Sequence, residues 1–341
     1  MTINITFTHA LKAQNRLYFM YYYQSQTNNP YFNIATEEYL LKQSSDDFFY
    51  LYINEPSIVV GKHQNTMAEI NVPYVIDNQL KVVRRLSGGG TVFHDKGNIN
   101  FCFIQKGAQG NLVNFKKYSQ PILDTLQNLG VNAYLKGKSD LVINDLKFSG
   151  NAEHVYRNKV LHHGTLLYQS ELGKLNEAIK ADWNKFTDKA VRSNRSAVTN
   201  IFDHLHPKLS IEAFIDTLKE TVFKQFTRIS EFILSTTDKK AIELLVKEKY
   251  NTWDWNYAYS PQYEFQKKQN INGKELAVSF RVNKGIIENA YIAIEQDEDL
   301  ELKHLIEGLP HQYPKLKEAL TRINKNKDLS FFPDEILQLL F

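Results

Sequence analysis

Residues 82–103, V-V-R-R-L-S-G-G-G-T-V-F-H-D-K-G-N-I-N-F-C-F, hold three consecutive glycines between two strand-forming runs. Lys81-Val82-Val83 precede the glycines, and Thr91-Val92-Phe93 and the run from Ile99 to Ile104 follow. Gly88-Gly89-Gly90 therefore reads as a loop joining two strands. Glycine reaches positive φ and lets backbone amides approach a ligand closely, at an entropic cost of roughly 0.5–1 kcal/mol against alanine in a regular element. A plain loop or bulge accounts for the triplet taken alone. Arg84 and Arg85, however, put two permanent cations at its entrance, and His94, Asp95 and Asn98 follow in the turn Asp95-Lys96-Gly97-Asn98. Backbone suited to anions, guanidinium and polar side chains thus converge within residues 84–98.

The surrounding chain, at 341 residues, is long enough for two domains. With 43% hydrophobic, 13% aromatic and 23% charged residues it can build a full core and falls outside the disordered class. One cysteine, Cys102, excludes an internal disulfide and a multi-cysteine metal or iron–sulfur site. The start Met1-Thr2-Ile3-Asn4-Ile5-Thr6 lacks the basic residues and apolar run of a secretory signal, and no stretch approaches the ~20 apolar residues of a membrane span. The expectation is a soluble, cytoplasmic protein without a membrane partner. Forty-one basic and 38 acidic side chains leave a net charge of +3, mild enough to help an acidic protein dock without indicating nucleic acid.

In chain order, Asn33 reads as the N-cap of a helix over 34–43, and strands follow over 48–53 and 57–60. Past the glycines, the spacing of Ile122, Leu123, Leu126 and Leu129 predicts a helix over 115–129, stopped by Gly130. Short strands over 132–135, 140–143, 146–155 and 159–168 form an antiparallel meander with two-residue turns at Asn144-Asp145 and Arg157-Asn158. Helices are expected over 171–180, 210–228 and 241–250, with a polar, basic, lid-like connection over 185–196. Hairpins around Asn272-Gly273 and Asn283-Lys284-Gly285 and helices near 298–307, 313–323 and 333–340 close the chain. The boundary is placed between Lys249 and Trp253, giving a catalytic domain over 1–250 and an accessory domain over 251–341.

Further candidates carry chemistry. Alternation puts Lys147 on the opposite strand face from Leu146 and Phe148, and Ser149-Gly150-Asn151 directly after it permits close backbone approach. In Leu161-His162-His163-Gly164-Thr165 only one histidine can face a given side, so a zinc pair is disfavoured. A Walker A reading of Gly130 to Ser139 fails because six residues separate the glycines where the pattern has four, and Gly88, Gly90 and Phe93 fail the dinucleotide pattern.

Three blocks, R-R-L-S-G-G-G-T-V-F-H-D-K-G-N, S-D-L-V-I-N-D-L-K-F-S-G-N-A and H-H-G-T-L-L, together resemble the signature of lipoate–protein ligases. V-R-S-N-R-S-A-V-T-N-I and the W-D-W opening of the last domain are similar to the family too, so the likeness spans roughly 30–341. It implies an α+β fold: a biotin/lipoyl-protein-ligase-like mixed β-sheet domain with flanking helices, then a small C-terminal α/β accessory domain. It implies ATP, Mg²⁺ and lipoate as ligands and, as acceptors, lipoyl domains of 2-oxoacid dehydrogenase E2 subunits or glycine cleavage H protein. By position, Arg85 and the loop Ser87, Gly88, Gly89, Gly90, Thr91, Val92 and Phe93 would bind the adenylate, with Arg85 and the amides meeting phosphate. Lys147 would be the essential lysine between α-phosphate and lipoyl carboxylate. His94, Asn98, Asp140, Gly150, His163 and Thr165 would line the pocket, with Asp140 the candidate Mg²⁺ ligand. Ser139 departs from the asparagine common in bacterial ligases.

Such residue types suit adenylation, which brings two anions together and needs cations and amides to offset the repulsion. An octanoyl or lipoyl transferase of the same fold would need a reactive thiol, for which only Cys102 is available. A lipoate-binding module without turnover is the third reading.

Overall fold

The computed structural model describes residues 19–107, 112–179, 182–226, 228–271, 273–322 and 333–341. Its strands, in chain order, are β1 (Phe19–Gln24), β2 (Phe48–Ile53), β3 (Ser57–Val60), β4 (Lys81–Arg84), β5 (Val92–His94), β6 (Asn98–Lys106), β7 (Ala133–Lys136) and β8 (Asp140–Ile143). They continue with β9 (Leu146–Tyr156), β10 (Lys159–Leu167), β11 (Phe186–Asp188), β12 (Arg228–Glu231), β13 (Tyr263–Ile271), β14 (Lys274–Asn283), β15 (Ile286–Ile294) and β16 (Asp297–Glu298).

The largest sheet has the order β12-β1-β2-β6-β10-β9-β8-β7. β1 runs parallel to β2 and β12, and every later pair is antiparallel. Both faces are covered, which is why Phe48–Ile53 reads as a continuous apolar run instead of alternating. Phe49, Leu51, Phe101, Phe103 and Phe148 pack with the helices Phe115–Asn128 and Ile211–Phe223. Phe48, Tyr50, Cys102 and Leu161 pack on the other face with the helices Pro30–Gln43 and Thr236–Leu245.

A three-stranded sheet, β4-β3-β5, presents the glycine stretch. The strands on either side of the glycines do not pair with each other; both flank β3, one parallel and one antiparallel. A third, antiparallel sheet, β11-β13-β14-β15-β16, takes four strands from beyond residue 251 and one, β11, from the basic connection. Ile58, Val82 and Phe93 share one apolar cluster with Phe265, Phe280 and Leu316.

Several local expectations change. The first helix is capped by Asn29, whose side chain accepts from the Tyr31 N–H at 3.0 Å, and Asn33 lies buried inside it. Pro30 decides this, because its fixed φ and missing N–H suit the first helical position. The helix expected over 210–228 ends at Phe223, and Arg228–Glu231 pairs with β1, a partner sequence spacing cannot reveal. The helix expected at 241 starts at Thr236 on a Ser235/Asp238 capping box, and Val246–Tyr250 widens to π winding. The turns Asn144-Asp145 (φ 51° and 66°) and Arg157 (φ 55°) are left-handed as the hairpins require. Asn272 lies outside the described residues; β13 and β14 pair up to Ile271 and Lys274.

Candidate active site

A cavity of about 440 Å³ gathers Arg85, Gly89, Gly90, Thr91, Val92 and His94 from the glycine stretch. Asp140, Lys147, Gly150, His163 and Thr165 reach it from β8, β9 and β10. Ser87, Gly88, Phe93 and Asn98 do not line it. A smaller cavity of about 150 Å³ shares Thr91, Val92, Lys147, Gly150 and Thr165 and is walled by Phe93, Leu167, Leu175, Ile179 and Val198. Lys147 thus stands where a larger, mixed compartment and a smaller, more apolar one meet.

The route to that position departs from simple alternation. Leu141 pairs with Ser149 and Val142 with Lys147, so Phe148 is an extra residue and the strand bulges. Leu146 is 36% exposed while Phe148 is fully buried, so the two do not share an environment as strand period alone implied. The bulge turns Lys147 inward, where its Nζ lies 2.9 Å from Asp140 Oδ1. Its backbone is held by the 197–199 segment: Lys147 N–H donates to Ala197 O at 2.9 Å and Thr199 N–H to Lys147 O at 3.0 Å. A Cβ on Gly150 would stand 3.2 Å from Lys147 Cε and Nζ, so glycine keeps that approach open.

The two arginines have different roles. Arg85 donates from Nε to Ser87 Oγ (3.0 Å), from Nη1 to Val59 O (3.1 Å) and from Nη2 to the Gly88 and Gly90 carbonyls (2.7 Å each). Three of its five N–H donors therefore shape the glycine bend, and a fourth ties the guanidinium to β3. Arg84 does not stand at the cavity entrance. It is fully buried and contacts seven acceptors, among them the Gly61, Lys62 and Gln64 carbonyls and the Trp255 and Asn256 carbonyls. Alternation along β4 sends adjacent side chains to opposite faces, and only one face borders the cavity.

His163 and His162 split as strand geometry requires. His162 packs among Phe101, Phe115 and Tyr118, while His163 bonds Ser87 Oγ through Nε2 (2.6 Å) and Glu37 Oε2 through Nδ1 (2.8 Å). Glu37 Oε1 also accepts from the Tyr52 hydroxyl at 3.0 Å. This connectivity resembles a hydrolytic triad, but Ser87 is 1% exposed and its oxygen already accepts from Arg85. It is a buried brace for the arginine. Asn98 is braced too, donating to Asn100 Oδ1 at 3.0 Å.

The family model of the lipoyl protein ligase A/B catalytic domain matches residues 29–223. Lipoate–protein ligase 1 of Staphylococcus aureus is 38% identical over 300 residues, covering 86% of this chain and 90% of that relative. The chain belongs to the lipoate–protein ligase family. Solved lipoate–protein ligases share the fold expected from the sequence. LipL1 of P. falciparum, in complex with lipoate, has a TM-score of 0.61 at 22% identity, covering 94% of this chain and 98% of that one. A lipoate–protein ligase A bound with ATP has a TM-score of 0.59 at 21% identity, covering 70% and 97%.

In this family member the basic connection lies across the glycine bend. Ser193 Oγ accepts from the Thr91 N–H (2.8 Å) and from Gln64 Nε2 (3.0 Å), and donates to the buried carboxylate of Glu69. A Cβ on Gly90 would meet Ser193 Oγ at 3.1 Å, and one on Gly61 would stand 2.1 Å from Gly89 O. Glu37, Gly61, Gln64 and Glu69 have no assigned role in the sequence, and Ser193 enters there only within the V-R-S-N-R-S resemblance; the site residue that each of these supports lies far off in the chain.

Two buried histidines predict an acid response. Burial, then Arg85 and His163, hold His94 down to about 3, and burial holds His311 down to about 4 despite its bond to the Leu340 carbonyl. Both lie below the ordinary 6.5, so between these values the unfolded chain binds protons that the folded one refuses. Stability is therefore full above about pH 6.5 and falls as pH drops toward 4. Urea titrations at pH 7 and 5 are expected to differ by roughly 2 kcal/mol per histidine. A midpoint that does not move would refute the buried neutral state.

Proposed function

We propose that this chain is an ATP-dependent lipoate–protein ligase that joins lipoate to AMP, releasing pyrophosphate, and passes the lipoyl group to an acceptor lysine. The acceptors are lipoyl domains of 2-oxoacid dehydrogenase E2 subunits or glycine cleavage H protein. One observation carries the reading: the Lys147 ammonium and the Gly89-Gly90 bend border one cavity, at its junction with a second, apolar one. An acyl-adenylate has that form, two arms meeting at a mixed anhydride. Lys147 at the junction offsets the charge of carboxylate and phosphate as they approach. The 150 Å³ compartment, walled by Phe93, Leu167 and Val198 with Asn176 and Asn194 at its edge, suits a flat base with polar rims. Arg85 acts by holding the bend that receives the phosphate. The segment Val191–Asn194 covers the junction, which protects an intermediate that water would hydrolyse.

Asp140 is the one carboxylate bordering the cavity among the described residues, and these contain no cluster of three or more metal-ligating side chains. That suits a Mg²⁺ that arrives on the nucleotide phosphates and keeps most of its waters. Bound there, it would neutralise phosphate charge. The acceptor amine attacks the lipoyl carbonyl and AMP leaves, so no enzyme nucleophile is needed. The division into a catalytic domain over 1–250 and an accessory domain over 251–341 is kept as part of this reading.

Incubation with ATP, Mg²⁺, lipoate and acceptor domains, followed by intact-mass measurement, tests the proposal; absence of lipoate-dependent pyrophosphate release rejects it. The transferase reading loses ground because Cys102 is fully buried and burial pushes its thiol up, away from the thiolate that acyl transfer needs. Cys102→Ser is expected to retain ATP-dependent lipoylation. Gly61→Ala, which forces its methyl against the Gly89 carbonyl, is expected to slow pyrophosphate release by about 10²-fold through misplacement of the bend. A rate within threefold of the unmodified protein would show that the bend tolerates the shift.

A further inference from the structure

Ile34, Tyr52, Val59, Asn100 and His94, all buried, wall the larger cavity and none of them borders the smaller one that shares Lys147, whereas the stretch from Lys136 to Asp140 is open to solvent. An acyl chain whose carboxyl group sits at Lys147 therefore runs its tail toward His94. The polar atoms along that wall are almost all engaged. Tyr52 O–H donates to Glu37, Asn100 bonds Asn98 and the Tyr52 carbonyl, and both nitrogens of His163 are taken. Of the five residues of this wall, His94 alone has a buried polar atom, Nε2, with no partner.

A chain of hydrogen bonds determines what that nitrogen presents. The Thr27 carbonyl can only accept, so the Asn33 atom 3.0 Å from it is the amide nitrogen, Nδ2. The same Nδ2 donates to Asn54 Oδ1 at 2.8 Å, which leaves the Asn54 amide nitrogen facing His94 Nδ1 at 2.9 Å. That nitrogen can only donate, so His94 Nδ1 is bare and the proton sits on Nε2. Burial keeps the ring neutral, so the tautomer holds across the physiological range.

Building on the ligase reading, we propose that His94 Nε2–H is a fixed donor that selects an acyl chain ending in an acceptor sulfur, the dithiolane of lipoate, over a plain alkyl tail such as octanoate. A disulfide sulfur is a polarizable, weak acceptor. An alkyl terminus leaves the buried N–H unpaired, a penalty equivalent to about 10- to 100-fold in selectivity.

Comparison of kcat/KM for pyrophosphate release with lipoate and with octanoate tests this. The unmodified protein is expected to favour lipoate by about 10- to 100-fold, and His94→Phe to bring the two within about threefold, mainly by loss on lipoate. Nitrogen-15 NMR of labelled protein supplies a second readout that needs no variant to fold well. The imidazole signals should show His94 as the Nε2–H tautomer from pH 5 to 8, and lipoate without ATP should shift them more than octanoate does. A lipoate preference that survives in folded His94→Phe, an Nδ1–H tautomer, or equal shifts from both acids would overturn the assignment. Failure to release pyrophosphate with either acid sinks the ligase reading instead, and the NMR titration still decides the role of His94.

Discussion

Lys147→Ala is expected to slow lipoate-dependent pyrophosphate release by about 10²–10³-fold, the usual effect of removing one preorganised charge from a site where transition-state charge develops. Its Nζ lies within reach of both compartments and is balanced in the free protein by Asp140 at 2.9 Å. Ligand phosphate then competes with a carboxylate for the same ammonium. Stability should hardly change, because the Lys147 and Asp140 side chains keep 24% and 28% of their exposure and such pairs contribute about 0–1 kcal/mol. Lys147→Arg should recover little, since a planar guanidinium is a poor substitute for a compact ammonium beside Gly150. Pyrophosphate assays paired with thermal melts check this. A variant that melts normally and still turns over at the unmodified rate would remove Lys147 from the chemistry.

Arg84→Met should have the largest effect on stability, a loss of about 3–5 kcal/mol, because several buried acceptors lose their donors at about 1–3 kcal/mol each while part of that is recovered by relaxation. None of the seven acceptors around Arg84 is a carboxylate; the guanidinium is held by the dipoles of five carbonyls and by the Thr66 and Ser260 hydroxyls. Burial pulls its own pKa down to about 10, so the charge persists at neutral pH. Methionine would fill part of the volume and leave those acceptors without donors, each a desolvated polar group. Because they lie on residues 61–66 and 255–260, the variant should also loosen the joint between the glycine-bearing sheet and the last third of the chain. Urea unfolding is the direct measurement. A loss under 1 kcal/mol would mean water satisfies these carbonyls and Arg84 is not the anchor described.

The contrast between Arg84 and Arg85 shows how far sequence reading extends. Adjacent arginines before a glycine run look equivalent, and strand geometry states only that they face opposite ways. Which one turns toward the cavity depends on what β4 packs against, here residues 255–260. Lys147 is singled out in the sequence by the Ser149-Gly150 that follows it, yet its inward direction comes from a bulge at Phe148. The bracing roles of Glu37, Glu69 and Ser193 are not legible in the sequence, because carboxylates and serines are common and their partners lie 126, 124 and 102 residues away.

By itself the sequence determined the local chemistry: the glycine bend, the left-handed two-residue turns, the apolar runs of a twice-covered sheet and the residue types an acyl-adenylate needs. These follow from backbone sterics and side-chain period, which act over a few residues. Tertiary structure alone decided which arginine anchors and which shapes the bend, which nitrogen of His94 carries its proton, and that a basic connection closes over Gly90. Each of those depends on hydrogen-bond partners brought from remote parts of the chain, and a donor or acceptor has no assigned role until its partner is in place.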